Sequence, residues 1–244
     1  MPISSYEERG ERILEAAAVL ITRWGYKKTT IDDIAKQAGV AKGTIYLHWK
    51  TREELFKAVI LHEEAKLMED LKQRLDSDPE GTTLHGMIKH AMFATMKRPI
   101  WKAIMLRDTD MVGDFAQSEY ASEATQKNIE NFKVYFEVLH AQKLIRTDLT
   151  LKQLLYLANT IAIGFLIIDP LLPQEYKMSD EEAVELLADT IKRTFASSVP
   201  TTNEAQQELT QAFNGYLDGT VDLLQEQESK ETGYDNTSHN SNRD

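Results

Sequence analysis

The residues of this chain best suited to chemistry lie close together, between Thr30 and Lys50. From Lys27 to Lys50 there are five lysines and only two acids, Asp32 and Asp33. Ala41, Lys42, Gly43, Thr44 and Leu47 are small, polar or slender residues that can approach base edges. The Thr30 and Tyr46 hydroxyls, His48 and Lys50 can hydrogen-bond phosphate oxygens. That chemistry is recognition of a polyanion, not bond making. Catalytic readings lack material. There is no cysteine, hence no thiolate zinc site and no cysteine nucleophile. His62-Glu63-Glu64-Ala65-Lys66 starts like a zinc-protease string but has Lys66 where the second ligand belongs. His85 and His90 are not at metal-binding spacing on one helix face. The reading is of a protein that is not an enzyme and carries no metal or cofactor.

Groups of this kind need a frame, and the string Thr30-Ile-Asp-Asp-Ile-Ala-Lys-Gln-Ala-Gly-Val-Ala-Lys-Gly-Thr-Ile-Tyr46 supplies one. A first helix starts at a Thr30–Asp33 capping box and turns Ile34, Ala35 and Ala38 inward. Gly39 permits the positive φ of a tight turn. Val40 and Ile45 then lock a second helix against the first. The spacing predicts a helix-turn-helix whose second helix exposes Ala41 to Leu47. Upstream, Ile13, Ala16, Ala17, Leu20, Ile21 and Trp24 form one apolar stripe that ends at Gly25. Downstream, Thr51-Arg52-Glu53-Glu54 is a capping box opening a long helix with Leu55, Val59, Leu67, Leu71 and Leu75 buried.

The formal net charge of −11 seems wrong for a DNA partner, but its distribution removes the objection. Residues 1–60 carry ten Lys/Arg and eight Asp/Glu, a net of +2, so the remainder carries −13. A basic segment on an acidic body can bind DNA locally while the body limits indiscriminate association.

Over Arg12 to Ile60 these residues resemble the N-terminal domain of the TetR family of transcriptional regulators. The likeness rests on Ile13, Ala17, Gly25-Tyr26, Thr29-Thr30, Ile34-Ala35, Ala38-Gly39-Val40, Lys42-Gly43-Thr44, Tyr46 and Glu54-Leu55. Trp49 stands where Phe is usual, Ala41 where Ser is common and Arg52 where Lys is common. The resemblance implies an all-α fold, with a three-helix DNA-binding domain (residues 1–50) and a helical ligand-binding and dimerisation domain (51–200). It implies a cytoplasmic homodimer on double-stranded palindromic operator DNA, a repressor released by a small hydrophobic effector. Dimerisation would use the helices at about 150–168 and 179–196, with Leu155 and Ile191 in the seam.

The rest of the chain reads as helix at about 83–97, 99–108, 114–141, 150–168 and from Ser179 to Phe195, with no alternating strand pattern and no glycine-rich phosphate loop. Its middle is rich in Met and aromatics, individually ordinary core residues. Collectively they suit the family's habit of enclosing an apolar ligand, for which His90, Phe93, Trp101, Met105, Phe132, Phe136, Tyr156, Asn159 and Thr160 are the candidate contacts. A DNA-bound scaffold of the same fold, without an inducer, is the alternative. The N-terminus is too charged for a signal peptide, and Ile161–Ile168 falls far short of the roughly 20 residues that span a bilayer, so no membrane partner is expected. Residues 201–228 predict an extra amphipathic helix, with Leu209, Phe213, Leu217, Val221 and Leu224 in register. Residues 229–244 are polar and predict a disordered tail.

Overall fold

The computed structural model describes residues 5–117, 119–197, 202, 204–205, 207–215 and 217–218. Among them the regular elements are helices: α1 (Ser5–Trp24), α2 (Ile31–Ala38), α3 (Lys42–His48), α4 (Arg52–Asp76), α5 (Leu84–Met96), α6 (Pro99–Met105), α7 (Thr109–Val112), α8 (Glu119–Ala141), α9 (Leu151–Ile167) and α10 (Asp180–Phe195). A further helical stretch lies within residues 204–218. The expected tail at 229–244, with Val221 and Leu224, lies outside the described residues.

Local signals explain most boundaries. α1 buries Ile13, Ala16, Ala17, Leu20 and Ile21 and ends at Gly25, whose φ is +78°. At α2 both halves of the capping box form: the Thr30 hydroxyl accepts from Asp33 N–H, and the Asp33 carboxylate accepts from Thr30 N–H. Such a cap contributes about 1 kcal/mol. α9 and α10 open on equivalent boxes at Thr150–Gln153 and Ser179–Glu182. The box expected at Thr51 is only half made. Thr51 accepts from Glu54 N–H at 3.0 Å, but the Glu54 carboxylate reaches one residue further back and accepts from Lys50 N–H at 2.7 Å.

Two boundaries differ from expectation. The segment read as one helix over 114–141 begins only at Glu119, because Gly113 (φ +62°) turns the chain and Gly113–Gln117 forms a 3-10 turn. The helix read over 99–108 stops at Met105. Arg107 adopts a positive φ of 54°, and Asp108 starts α7 by accepting from Asp110 and Met111 N–H.

Apolar packing divides the molecule into two cores, and α4 feeds both. Its first turns give Leu55, Phe56, Val59 and Ile60 to a core shared with α1, α2 and α3. Its later turns give Met68, Leu71 and Leu75 to a core shared with α5, α8, α9 and α10. The boundary is not a cut at residue 50. Ile100 and Ala103 of α6, Val112 of α7 and Ala116 all belong to the N-terminal core. Leu209, Phe213 and Leu217 join the C-terminal core, and Gln142 donates a side-chain hydrogen bond to Glu208.

Candidate nucleic-acid interface

α3 is the element on which the recognition groups converge. Gly39 at the end of α2 takes the left-handed conformation, φ +67°, which releases the chain into a sharp turn that few side chains tolerate. Val40 N–H then donates to the Ala35 carbonyl at 3.0 Å, and Ile45, fully buried, pins α3 to α1 and α2. Removing its side chain would cost roughly 2–5 kcal/mol. With Ile45 fixed inward, the helical period turns Lys42, Gly43, Tyr46 and Leu47 outward. Ala41, Lys50 and Thr30 are exposed beside them, and Thr44 is half-buried.

Among the described residues, little packs against the outward side of Gly43, Tyr46 and Leu47. A Cβ on Gly43 would meet no atom within 4 Å, so the chain's own packing does not require a glycine there. Leu47 is 66% exposed and Tyr46 39%. Ala41 makes no side-chain cap to α3, as its missing hydroxyl dictates. The Lys42 ammonium lies 2.8 Å from Asp32 Oδ2, and that carboxylate raises the lysine pKa. Lys50 Nζ donates to the Tyr46 carbonyl at 3.3 Å. These lysines lie at the start of α3 and just past its end, each held by a neighbouring acceptor, and flank a face of small and aromatic residues. A face of that shape and charge fits a major groove bordered by phosphates.

His48 sits differently from the other expected contacts. Its ring is half-buried, stacked on Tyr6 and on Trp49 at 5.2 Å. Burial, aided by Arg9, holds its pKa below the usual histidine value. His48 is thus a neutral spacer under α3 as much as a surface donor. Tyr6 was missed in the sequence because it lies in a charged N-terminal turn with no periodic signal. Its hydroxyl donates to the Leu47 carbonyl at 3.3 Å.

The candidate ligand contacts do not come together in one place. Phe132 and Phe136 meet with centroids 5.0 Å apart, inside the C-terminal core. Trp101 is half-buried on α6. Met105 is 42% exposed, and its sulfur accepts from the Thr95 hydroxyl. Phe93 lies beneath the Arg74 guanidinium, 4.3 Å from its centroid, with the Lys97 ammonium at 5.0 Å. His90 points instead to the α4–α5 turn, its Nε2 2.8 Å from Asp78 Oδ2, in an open groove with Asp70, Gln73 and Arg74. Tyr156, Asn159 and Thr160 are on the exposed side of α9. Asn159 donates to the Leu155 carbonyl and Thr160 to the Tyr156 carbonyl, each at 2.8 Å. These three are turned away from Phe132 and Phe136, since polar groups on a helix with one buried face settle on the other.

The positions expected in a subunit seam also need correction. Ile191 is fully buried within its own chain and Leu155 packs against the same core. Apolar groups that remain outward on α9, α10 and the turns between them include Tyr156, Ile167, Ile168, Leu171, Tyr176, Met178 and Leu186.

Residues 13–59 match the family described as bacterial regulatory proteins, tetR family. The HTH-type transcriptional regulator YhgD of Bacillus subtilis is 40% identical over 91 residues, 37% of this chain and 46% of that protein. The matched part thus spans about half the length of such relatives. Among solved structures, NalD of Pseudomonas aeruginosa, the secondary repressor of the MexAB-OprM multidrug efflux pump, aligns with a TM-score of 0.55 at 21% identity. It covers 79% of this chain and 98% of its own. The SmeT–triclosan complex aligns with a TM-score of 0.50 at 20% identity, covering 80% of this chain and 96% of its own. No helix among the described residues is long and apolar enough to cross a membrane.

Proposed function

Since residues 13–59 match the tetR family of bacterial regulatory proteins, we propose that this chain is a transcriptional repressor of that family, which binds an inverted-repeat operator as a homodimer and is released by a small apolar molecule. The observation that carries the reading is the outward face of α3, where Gly43, Tyr46 and Leu47 stand exposed between Lys42 and Lys50. Lys42 and Thr44 read base edges. Thr30, Tyr46 and Lys50 hold phosphates, with His48 supporting the helix from beneath.

Repression and release are supported by the names of the structural neighbours, one an efflux-pump repressor and one bound to triclosan. We assign the effector to the C-terminal core beside Phe132 and Phe136 of α8, with half-buried Trp101 of α6 as a separate candidate contact. Tyr156, Ile167 and Leu186 are assigned to the subunit seam, because α9 and α10 leave them outward and apolar. One observation favours the second reading, a DNA-bound scaffold without an inducer. Tyr135 touches Phe136, Phe132 and Phe213, centroids 5.9–6.2 Å apart, so this core already contains aromatic partners of its own.

Selection of bound duplexes from a random-sequence pool tests the reading. The result expected is an inverted repeat with half-site centres about 34–36 Å apart, or a multiple, bound by two chains. Enrichment of a single half-site bound by one chain, or of no sequence, contradicts it. Repeating the binding with triclosan and related apolar compounds separates repressor from scaffold, since only the repressor lets go.

A further inference from the structure

α4 is not the only connection between the C-terminal domain and the DNA-reading helices. α7 and the turn after it belong to the N-terminal core through Val112 and Ala116, follow Leu106, which packs on the C-terminal core, and lie directly on the bend that joins α1 to α2. Two glycines of positive φ make this approach possible. A Cβ on Gly25 would come within 2.6 Å of the Asp110 carbonyl oxygen, and a Cβ on Gly113 within 2.6 Å of Tyr26 Cδ1. The Tyr26 ring is held elsewhere by α4: Phe56 lies 4.3 Å from it between centroids, and the Arg52 guanidinium 3.9 Å above it. Arg52 also donates to the Tyr26 carbonyl. The void beside this ring is about 10 Å³, room for at most one water.

The other side of the bend is the start of α2. Thr29 donates through its hydroxyl to the Gly25 carbonyl at 2.9 Å and through its N–H to the Tyr26 carbonyl at 3.3 Å. Thr30, next in the chain, caps α2. Close-packed groups without free volume pass a displacement on instead of absorbing it. We infer that the contact of Asp110 and Gly113 with Gly25 and Tyr26 is a route by which change in the C-terminal domain reaches α2 and α3. A shift of α7 moves Tyr26, then the bend, then the α2 cap. This inference rests on the proposed control of DNA binding by the C-terminal domain and adds the residues that transmit it.

Linkage is reciprocal, so DNA held by α2 and α3 must tighten α7. The test is hydrogen exchange on the full chain with and without a duplex that the wild type selects from a random pool. Amides over 109–117 are expected to slow at least fivefold on binding; slowing confined to α1–α4 overturns the inference. Variants give a second readout. Gly113→Ala, checked for intact helicity, is expected to lose tenfold or more in affinity for that duplex. Tyr26→Ala removes the ring atoms that the new Cβ would meet, and the positive φ of Gly113 strains both backgrounds alike, so Gly113→Ala should cost less affinity in the Tyr26→Ala background than in the wild type. Wild-type affinity in Gly113→Ala, or losses that multiply in the double variant, also overturn it. If Gly113→Ala does not fold, the exchange result decides. Failure of the underlying reading looks different, because the wild type then selects no duplex.

Discussion

The phenol ring of Tyr6 stacks on the imidazole of His48, with centroids 3.9 Å apart and planes 21° from parallel. It ties the first turn of α1 to the last turn of α3, over Gly10, where a Cβ would make ordinary contact with His48 Nδ1 at 3.4 Å. Tyr6→Ala should remove a contact worth about 0.5–1.5 kcal/mol and let water reach His48. Because burial is the main cause of the lowered His48 pKa, an NMR titration should show it rising toward the ordinary value. An unchanged pKa would mean that the stack does not shield the ring.

His62, at the junction of α4 with α1 and α6, makes the fold acid-sensitive. Its Nε2 is buried without a hydrogen-bond partner among the described residues. Burial first, then Lys66 and Arg98 against an opposing Glu15, lowers its pKa from 6.5 to about 4. The unfolded chain therefore takes up the proton first as pH falls. The stability contributed by neutral His62 is complete above pH 6.5 and is lost between there and about pH 4. Thermal unfolding at pH 7 and pH 5 should show a larger drop for the wild type than for His62→Gln. Equal drops would remove His62 from the account.

How much of this was legible in the sequence depended on how local the signal was. Thr30, Gly39 and Ile45 could be read because a cap, a left-handed turn and a buried apolar residue each act within a few residues. The outward face of α3 followed from the same short period. Gly113 and Arg107 broke expected helices through backbone conformations that no periodicity announces. The candidate effector contacts scattered because each was chosen for its residue type, whereas the face a side chain occupies on α5 or α9 is set by distant packing. Asn159 and Thr160 bond to their own helix, as polar side chains on an exposed face commonly do. The contact of Gly113 with Tyr26 spans too much chain to be read from spacing.

The seam assignment separates two kinds of variant. Ile167→Asp and Leu186→Asp alter exposed positions, so each should give a folded monomer in sedimentation at micromolar concentration. Ile191→Asp buries an unpaired charge in its own core and should lose helicity instead. Dimers that survive both exposed substitutions would move the seam elsewhere.

Phe213 anchors the helical stretch within residues 204–218 against Tyr135, whose hydroxyl donates to the Thr82 carbonyl at 2.7 Å. Phe213→Ala empties a buried site and should destabilise the chain by roughly 3–5 kcal/mol, read as a lower urea midpoint. A change under about 0.5 kcal/mol, the level of a surface substitution, would place this stretch outside the cooperative core.

The central claim is that α3 holds DNA through charge and a few specific contacts. Its most direct test is the affinity for the selected duplex as a function of salt, for wild type, Tyr46→Ala and Lys42→Ala. A dimer contacting about 6–8 phosphates should show log K falling with log salt at a slope of roughly −5 to −7. Tyr46→Ala should weaken binding to every sequence alike, whereas Lys42→Ala should also change which bases are preferred. A near-flat salt response, or full affinity in Tyr46→Ala, contradicts the account.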